Sequence, residues 1–69
     1  MQIKSEIAGS VWKVIAQEGA ELAAEDVIVI LESMKMESEI KAHQAGTVQS
    51  ILVKEGDSVQ TGDSLVIIG

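Results

Sequence analysis

The chain is written twice. Ala8-Gly9-Ser10-Val11 returns 37 residues later as Ala45-Gly46-Thr47-Val48. The same separation carries Glu18-Gly19 onto Glu55-Gly56, Asp26 onto Asp63 and Val29-Ile30 onto Val66-Ile67. No gap is needed between Ala8 and Glu32. A register held over that length marks two copies of one supersecondary unit. In a chain of 69 residues the two copies leave room for a single small domain, residues 1–69, with a pseudo-twofold axis between its halves.

Each copy has the punctuation of β-structure. A glycine opens a turn, and an apolar strand follows, Val11 to Ala16 or Val48 to Val53. A second glycine turn comes at Gly19 or Gly56, then a lone apolar residue, Leu22 or Val59. A last turn, at Glu25-Asp26 or Gly62-Asp63, leads into another apolar strand. Glycine suits such turns because it accepts positive φ without steric cost. Glu25 breaks the rule that Gly62 keeps, so either its turn differs or its backbone is strained. Val, Ile and Leu dominate the apolar residues, and Trp12 is the single aromatic. β-branched side chains fit a pleated, half-buried surface.

Alternation fills the remaining segments. Met36, Ser38, Ile40 and Ala42 share one face, while Glu37, Glu39 and Lys41 share the other; Met36 is expected to tuck partly into the core. Ile3, Ser5 and Ile7 likewise face away from Lys4 and Glu6. This is the period of half-buried strands, and no stretch has a helical period. Short strands at short intervals predict an all-β sandwich or flattened barrel. Between strands ending near Leu31 and beginning near Met36 the chain must reverse, so Ser33-Met34-Lys35-Met36 is a hairpin loop. It has no counterpart in the repeats. An exposed loop on a rigid scaffold is where function is usually carried.

Composition closes off several function classes. The formal charge of −6 and the absence of any basic run argue against nucleic acid or an anionic membrane surface as partner. The longest apolar run, Val27 to Leu31, is too short to cross a bilayer. With no cysteine and a single histidine, neither disulfides nor a Cys/His metal site is available. His43 has no acid or nucleophile at a spacing that would suggest a triad, and is read as a surface residue. Trp12 is read as a half-buried packing residue. A domain this small cannot enclose a substrate pocket, so it is expected to catalyse nothing. The first residues lack the apolar core of a signal peptide, which makes a cytoplasmic location the expectation.

Lys35 is the candidate functional residue. Met34 and Met36 bracket it, and a loop tip is an odd place for two of the three methionines. Glu32-Ser33-Met34-Lys35-Met36-Glu37 resembles the Glu-Ala-Met-Lys-Met motif of biotinyl carrier domains. Ala45-Gly46-Thr47-Val48 and Val53-Lys54-Glu55-Gly56-Asp57-Ser58-Val59 look like the strands and turns that follow it there. The likeness covers essentially the whole chain.

The resemblance implies two four-stranded antiparallel sheets forming a barrel-sandwich hybrid, with the termini at one end and the lysine hairpin at the other. It implies covalent biotin on Lys35, added by a biotin protein ligase through an activated adenylate. Met34 and Met36, with Glu32, Ser33 and Glu37, would be read by that ligase. An ordinary lysine, with a pKa near 10.4, is neutral in about one molecule in 2,500 at pH 7, so an enzyme is needed to select one amine. Lys4, Lys13, Lys41 and Lys54 should stay unmodified. The carrier would then shuttle carboxybiotin between biotin carboxylase and carboxyltransferase sites, as a monomer whose tether raises its local concentration at both. Ser33 departs from the biotinyl pattern towards lipoyl carriers, whose motif runs closer to Glu-Ser-Asp-Lys-Ala, so a lipoyl carrier or dual attachment is the alternative. An unmodified assembly module is a third reading. A stand-alone carrier and one domain of a larger carboxylase are both compatible with the residues.

Overall fold

The computed structural model describes Met1–Gly69 as eight strands and no helix. In chain order these are β1 (Gln2–Lys4), β2 (Gly9–Val14), β3 (Glu21–Leu22), β4 (Val27–Ser33), β5 (Met36–Lys41), β6 (Gly46–Ile51), β7 (Ser58–Val59) and β8 (Ser64–Ile68). They form two antiparallel four-stranded sheets, ordered β1-β8-β6-β3 and β5-β4-β2-β7. Each sheet draws strands from both repeats, so neither copy could bury its apolar face alone.

The repeat persists in the hydrogen-bond register, and further than the identities suggest. Ile3 pairs with Val66, and 37 residues on Ile40 pairs with Val29; Gln2 with Ile67 answers Glu39 with Ile30. Val11 opposite Leu31 answers Val48 opposite Ile68, and Gly9 opposite Val59 answers Gly46 opposite Leu22. The bulges repeat as well, between Val11 and Lys13 and between Val48 and Ser50. The twofold relation therefore starts at β1, ahead of Ala8.

Repeated acids have repeated tasks. The Glu55 carboxylate accepts from the Val14 N–H at 3.4 Å, and Glu18 accepts from the Ile51 N–H at 3.2 Å, each crossing to the other copy. Asp26 accepts from the Ala23 N–H, and Asp63 from the Gln60 N–H, both at 2.9 Å. The two aspartates close the turns they sit in, while Glu55 and Glu18 satisfy the last N–H of β2 and β6 at the strand ends.

The core is one cluster of 12 buried residues from both sheets, with Ile28, Val29, Leu31, Leu65 and Val66 fully enclosed. Ile3 and Ser5 face inward as the alternation predicts, and the Ser5 hydroxyl donates to the Ile7 carbonyl. Ala42 is buried and Ile40 packs against the cluster. Met36 departs from its expected phase. It is 69% exposed, because β5 runs out past the end of the core to reach the turn. Trp12 lies in the β2 bulge, 49% exposed.

Gly9 and Gly46 open strands rather than turns, and neither has a positive φ. Gly19, Gly56 and Gly62 do take positive φ. Glu25 takes the conformation of its counterpart Gly62, with φ 75 against 94, and both donate N–H to the same partner in their halves, Ala42 and Ser5. A side chain held there costs about 1–2 kcal/mol, and glycine's looser unfolded chain gives back about 0.5–1. Glu25→Gly should therefore raise stability by about 0.5–1 kcal/mol, seen as a higher urea midpoint at constant m. An unchanged or lower midpoint would mean the turn carries no strain.

Candidate functional site

β4 and β5 form the longest antiparallel pair of the molecule. Their register closes through Leu31 opposite Ser38, Glu32 opposite Glu37 and Ser33 opposite Met36. Two residues are left to turn the chain, Met34 and Lys35, with φ of 52 and 65. A two-residue hairpin with both central residues at positive φ is a type I′ turn, whose twist matches the strands it joins. Asn-Gly is the sequence such a turn prefers. Met-Lys in its place strains the backbone by about 1 kcal/mol or more per residue, and strain of this sort gathers where local structure serves function.

All six residues singled out from the motif stand together. Met34 is 92% exposed, and Lys35, Met36, Glu32 and Glu37 are exposed as well. Ser33 is half-buried. Glu32 and Glu37 oppose each other directly, an arrangement that disfavours the strand pair unless something else benefits. The tip thus presents one amine between two thioethers, above a pair of carboxylates. The other lysines have a different setting: Lys4, Lys13 and Lys41 lie within strands, and Lys54 sits in the turn closed by Asp57. The surface hollows, of about 320, 410 and 310 Å³, are lined by other residues, Glu39 being the nearest in sequence. His43 lines the first of them, away from the turn. The hairpin offers projection rather than enclosure.

One residue of the site escaped the sequence. A Cβ on Gly9 would lie 2.6 Å from the Glu32 carbonyl oxygen and 3.3 Å from Ser33 Cβ. Gly9 therefore lets the start of β2 run close beside the hairpin base on β4. The repeated Ala-Gly pair was the available signal, but repetition alone cannot separate a turn from a close approach. Ser33 lies beside Gly9, while Met34 and Lys35 form the tip.

Lys35 fits covalent attachment of an acyl group on its own geometry. Its amine is exposed at a defined apex, and the turn that carries it is closed by a paired residue on each side. A long acyl substituent could extend from it without meeting the core.

The family model described as biotin-requiring enzyme, of the biotin/lipoyl type, matches residues 1–68. A Mycobacterium leprae protein named as a biotinylated protein TB7.3 homolog is 42% identical over 66 residues, covering 96% of this chain and 93% of its own. Biotinylated protein TB7.3 of Mycobacterium tuberculosis H37Rv is 45% identical over 40 residues, 58% of this chain and 56% of that one. Among solved structures, the urea carboxylase of Kluyveromyces lactis matches all of this chain with TM-score 0.94 and 38% identity. A single-chain, multi-domain long-chain acyl-CoA carboxylase matches 96% of it with TM-score 0.91 and 38% identity. This chain spans 6% of either carboxylase.

Proposed function

The chain belongs to the biotin-requiring, biotin/lipoyl carrier family, and from that premise we propose that Lys35 is the residue that carries the biotin. The observation supporting this reading is the turn itself: a single lysine at the apex of a strained I′ hairpin, flanked by two exposed thioethers. Lys35 acts as the nucleophile of attachment. Once deprotonated, its Nζ attacks the acyl carbon of a biotinyl adenylate; the C–N bond forms, the bond to AMP breaks, and the amine proton leaves to solvent. Met34 and Met36 give a biotin protein ligase an apolar, adaptable surface to read beside that amine. Glu32 and Glu37 supply charge for a basic partner surface, and Ser33 spaces the turn from Gly9.

When attached, biotin supplies a ring that takes up a carboxyl group at one site and releases it at another. The chain's part is to hold that arm on a rigid barrel and deliver it. We assign it no catalytic step of its own: the Lys35 amine is taken up in the amide bond to biotin, and Glu32 and Glu37 are assigned to recognition by the partner. Its proposed partners are the ligase, a biotin carboxylase and a carboxyltransferase, each met briefly, with the carrier a monomer between encounters. Biotin is favoured over lipoate because the residues on display are Met34 and Met36, while Ser33, the residue shared with lipoyl carriers, is half-buried over Gly9.

The carrier role is tested by supplying the biotin-loaded chain to a biotin carboxylase with ATP and labelled bicarbonate. The chain should become labelled, and a carboxyltransferase with its acceptor should discharge it. A loaded chain that takes up no label contradicts the role.

A further inference from the structure

Resting on the assignment of Lys35 above, we propose that Met34 and Met36 form an oxidation site that switches biotin loading off without unfolding the domain. The chain has no cysteine, so its readily oxidised side chains are three methionines and Trp12. None of the three methionines belongs to the 12-residue core. Two of them flank the acceptor lysine, and they are the most open large apolar residues of the molecule: Met34 at 92% and Met36 at 69%, against 45% for Met1. Oxidation of thioethers follows solvent access to sulfur, so a peroxide meets Met34 first.

The reaction needs nothing from the protein beyond the sulfur. A thioether lone pair attacks one oxygen of a hydroperoxide, the O–O bond breaks and an S–O bond forms. Sulfur loses two electrons, the peroxide is reduced to water or an alcohol, and the chain gains one oxygen per methionine. In a core the new polar, chiral group would disrupt packing. At this tip no packing is lost, because the turn is held by backbone pairs below it, Ser33 with Met36 and Glu32 with Glu37. The fold survives while the displayed chemistry changes from apolar to strongly hydrogen-bond-accepting. A ligase surface shaped for two thioethers must then desolvate two sulfoxide oxygens beside the amine it acylates. The backbone pairs fix where both side chains leave the turn, so each sulfoxide stays within a side chain's reach of the amine.

The test uses the unloaded 69-residue chain, treated with hydrogen peroxide until peptide mapping finds Met34 and Met36 each carrying one added oxygen. Initial rates of loading by biotin ligase with ATP and biotin are compared before and after treatment, alongside thermal melts. Loading should fall about tenfold or more, the scale on which an apolar site rejects a mismatched group. The melting temperature should stay where it was. Methionine sulfoxide reductases for both epimers should restore the rate. In the Met34→Leu/Met36→Leu chain the ratio of treated to untreated rate should stay near one, whatever its starting rate. Equal loading at full conversion, loss of the fold along with the rate, or a peroxide effect that persists in the double variant would each overturn the proposal. An untreated chain that accepts no biotin would instead overturn the assignment of Lys35, and this inference with it.

Discussion

Lys35→Arg should eliminate biotin attachment rather than slow it. Arginine keeps the charge and nearly the length of the side chain, so the hairpin and its neighbours have no reason to move. The chemistry is lost all the same. A guanidinium does not give up its proton in a protein, and its nitrogen lone pairs are delocalised, so no nucleophile remains at the tip. The other four lysines cannot stand in for it. Lys4, Lys13 and Lys41 are in strands and Lys54 is in a turn with no thioether beside it. Exhaustive treatment with biotin ligase followed by intact-mass measurement should find every wild-type chain one biotinyl group heavier and the variant unchanged. Biotin on any other lysine of the variant would mean that the hairpin does not direct the ligase.

Leu31→Ala should produce the largest loss of stability, and loss of loading as its consequence. Leu31 is fully buried on β4, two residues before Ser33, and pairs with Val11 on one side and Ser38 on the other. It therefore links the core to the strand pair that carries the turn. Truncating such a leucine costs about 2–5 kcal/mol, transfer and cavity terms together. A natural domain of this length has about 3–10 kcal/mol in all. The variant should lose a large part of its stability, read as a sharply lower urea midpoint, and its loading rate should fall with the folded fraction. A midpoint within experimental error of wild type would mean the core closes over the gap, and that Leu31 does not support the hairpin.

The architecture was legible because it is repeated. A separation of 37 residues, read from Ala8 and Ala45, carries over directly into paired registers and paired bulges. The candidate site stands out in the sequence for a related reason: Met34-Lys35-Met36 lies where the repeat has no copy of itself. What local pattern could not carry was contact between distant segments. β2 starts at Gly9 rather than Val11 because Gly9 and Ser10 pair with β7, and nothing in the alternation of either segment announces that ladder. Gly9 reads as a turn residue until the Glu32 carbonyl is found above it. Met36 has the phase of a core residue, but the core ends before β5 does. Glu25 is the instructive intermediate. Comparison with Gly62 named its backbone conformation as one of two outcomes, and three-dimensional pairing with Ala42 chose between them.

The most direct test of the central claim is intact mass and peptide mapping of the chain after co-expression with a biotin ligase and, separately, with a lipoyl ligase. A single biotinyl increment on the peptide containing Lys35, with no lipoyl increment, is the expected result. A lipoyl increment alone would mean that Ser33 outweighs the two methionines, and no increment from either enzyme on a folded chain would contradict the carrier assignment outright.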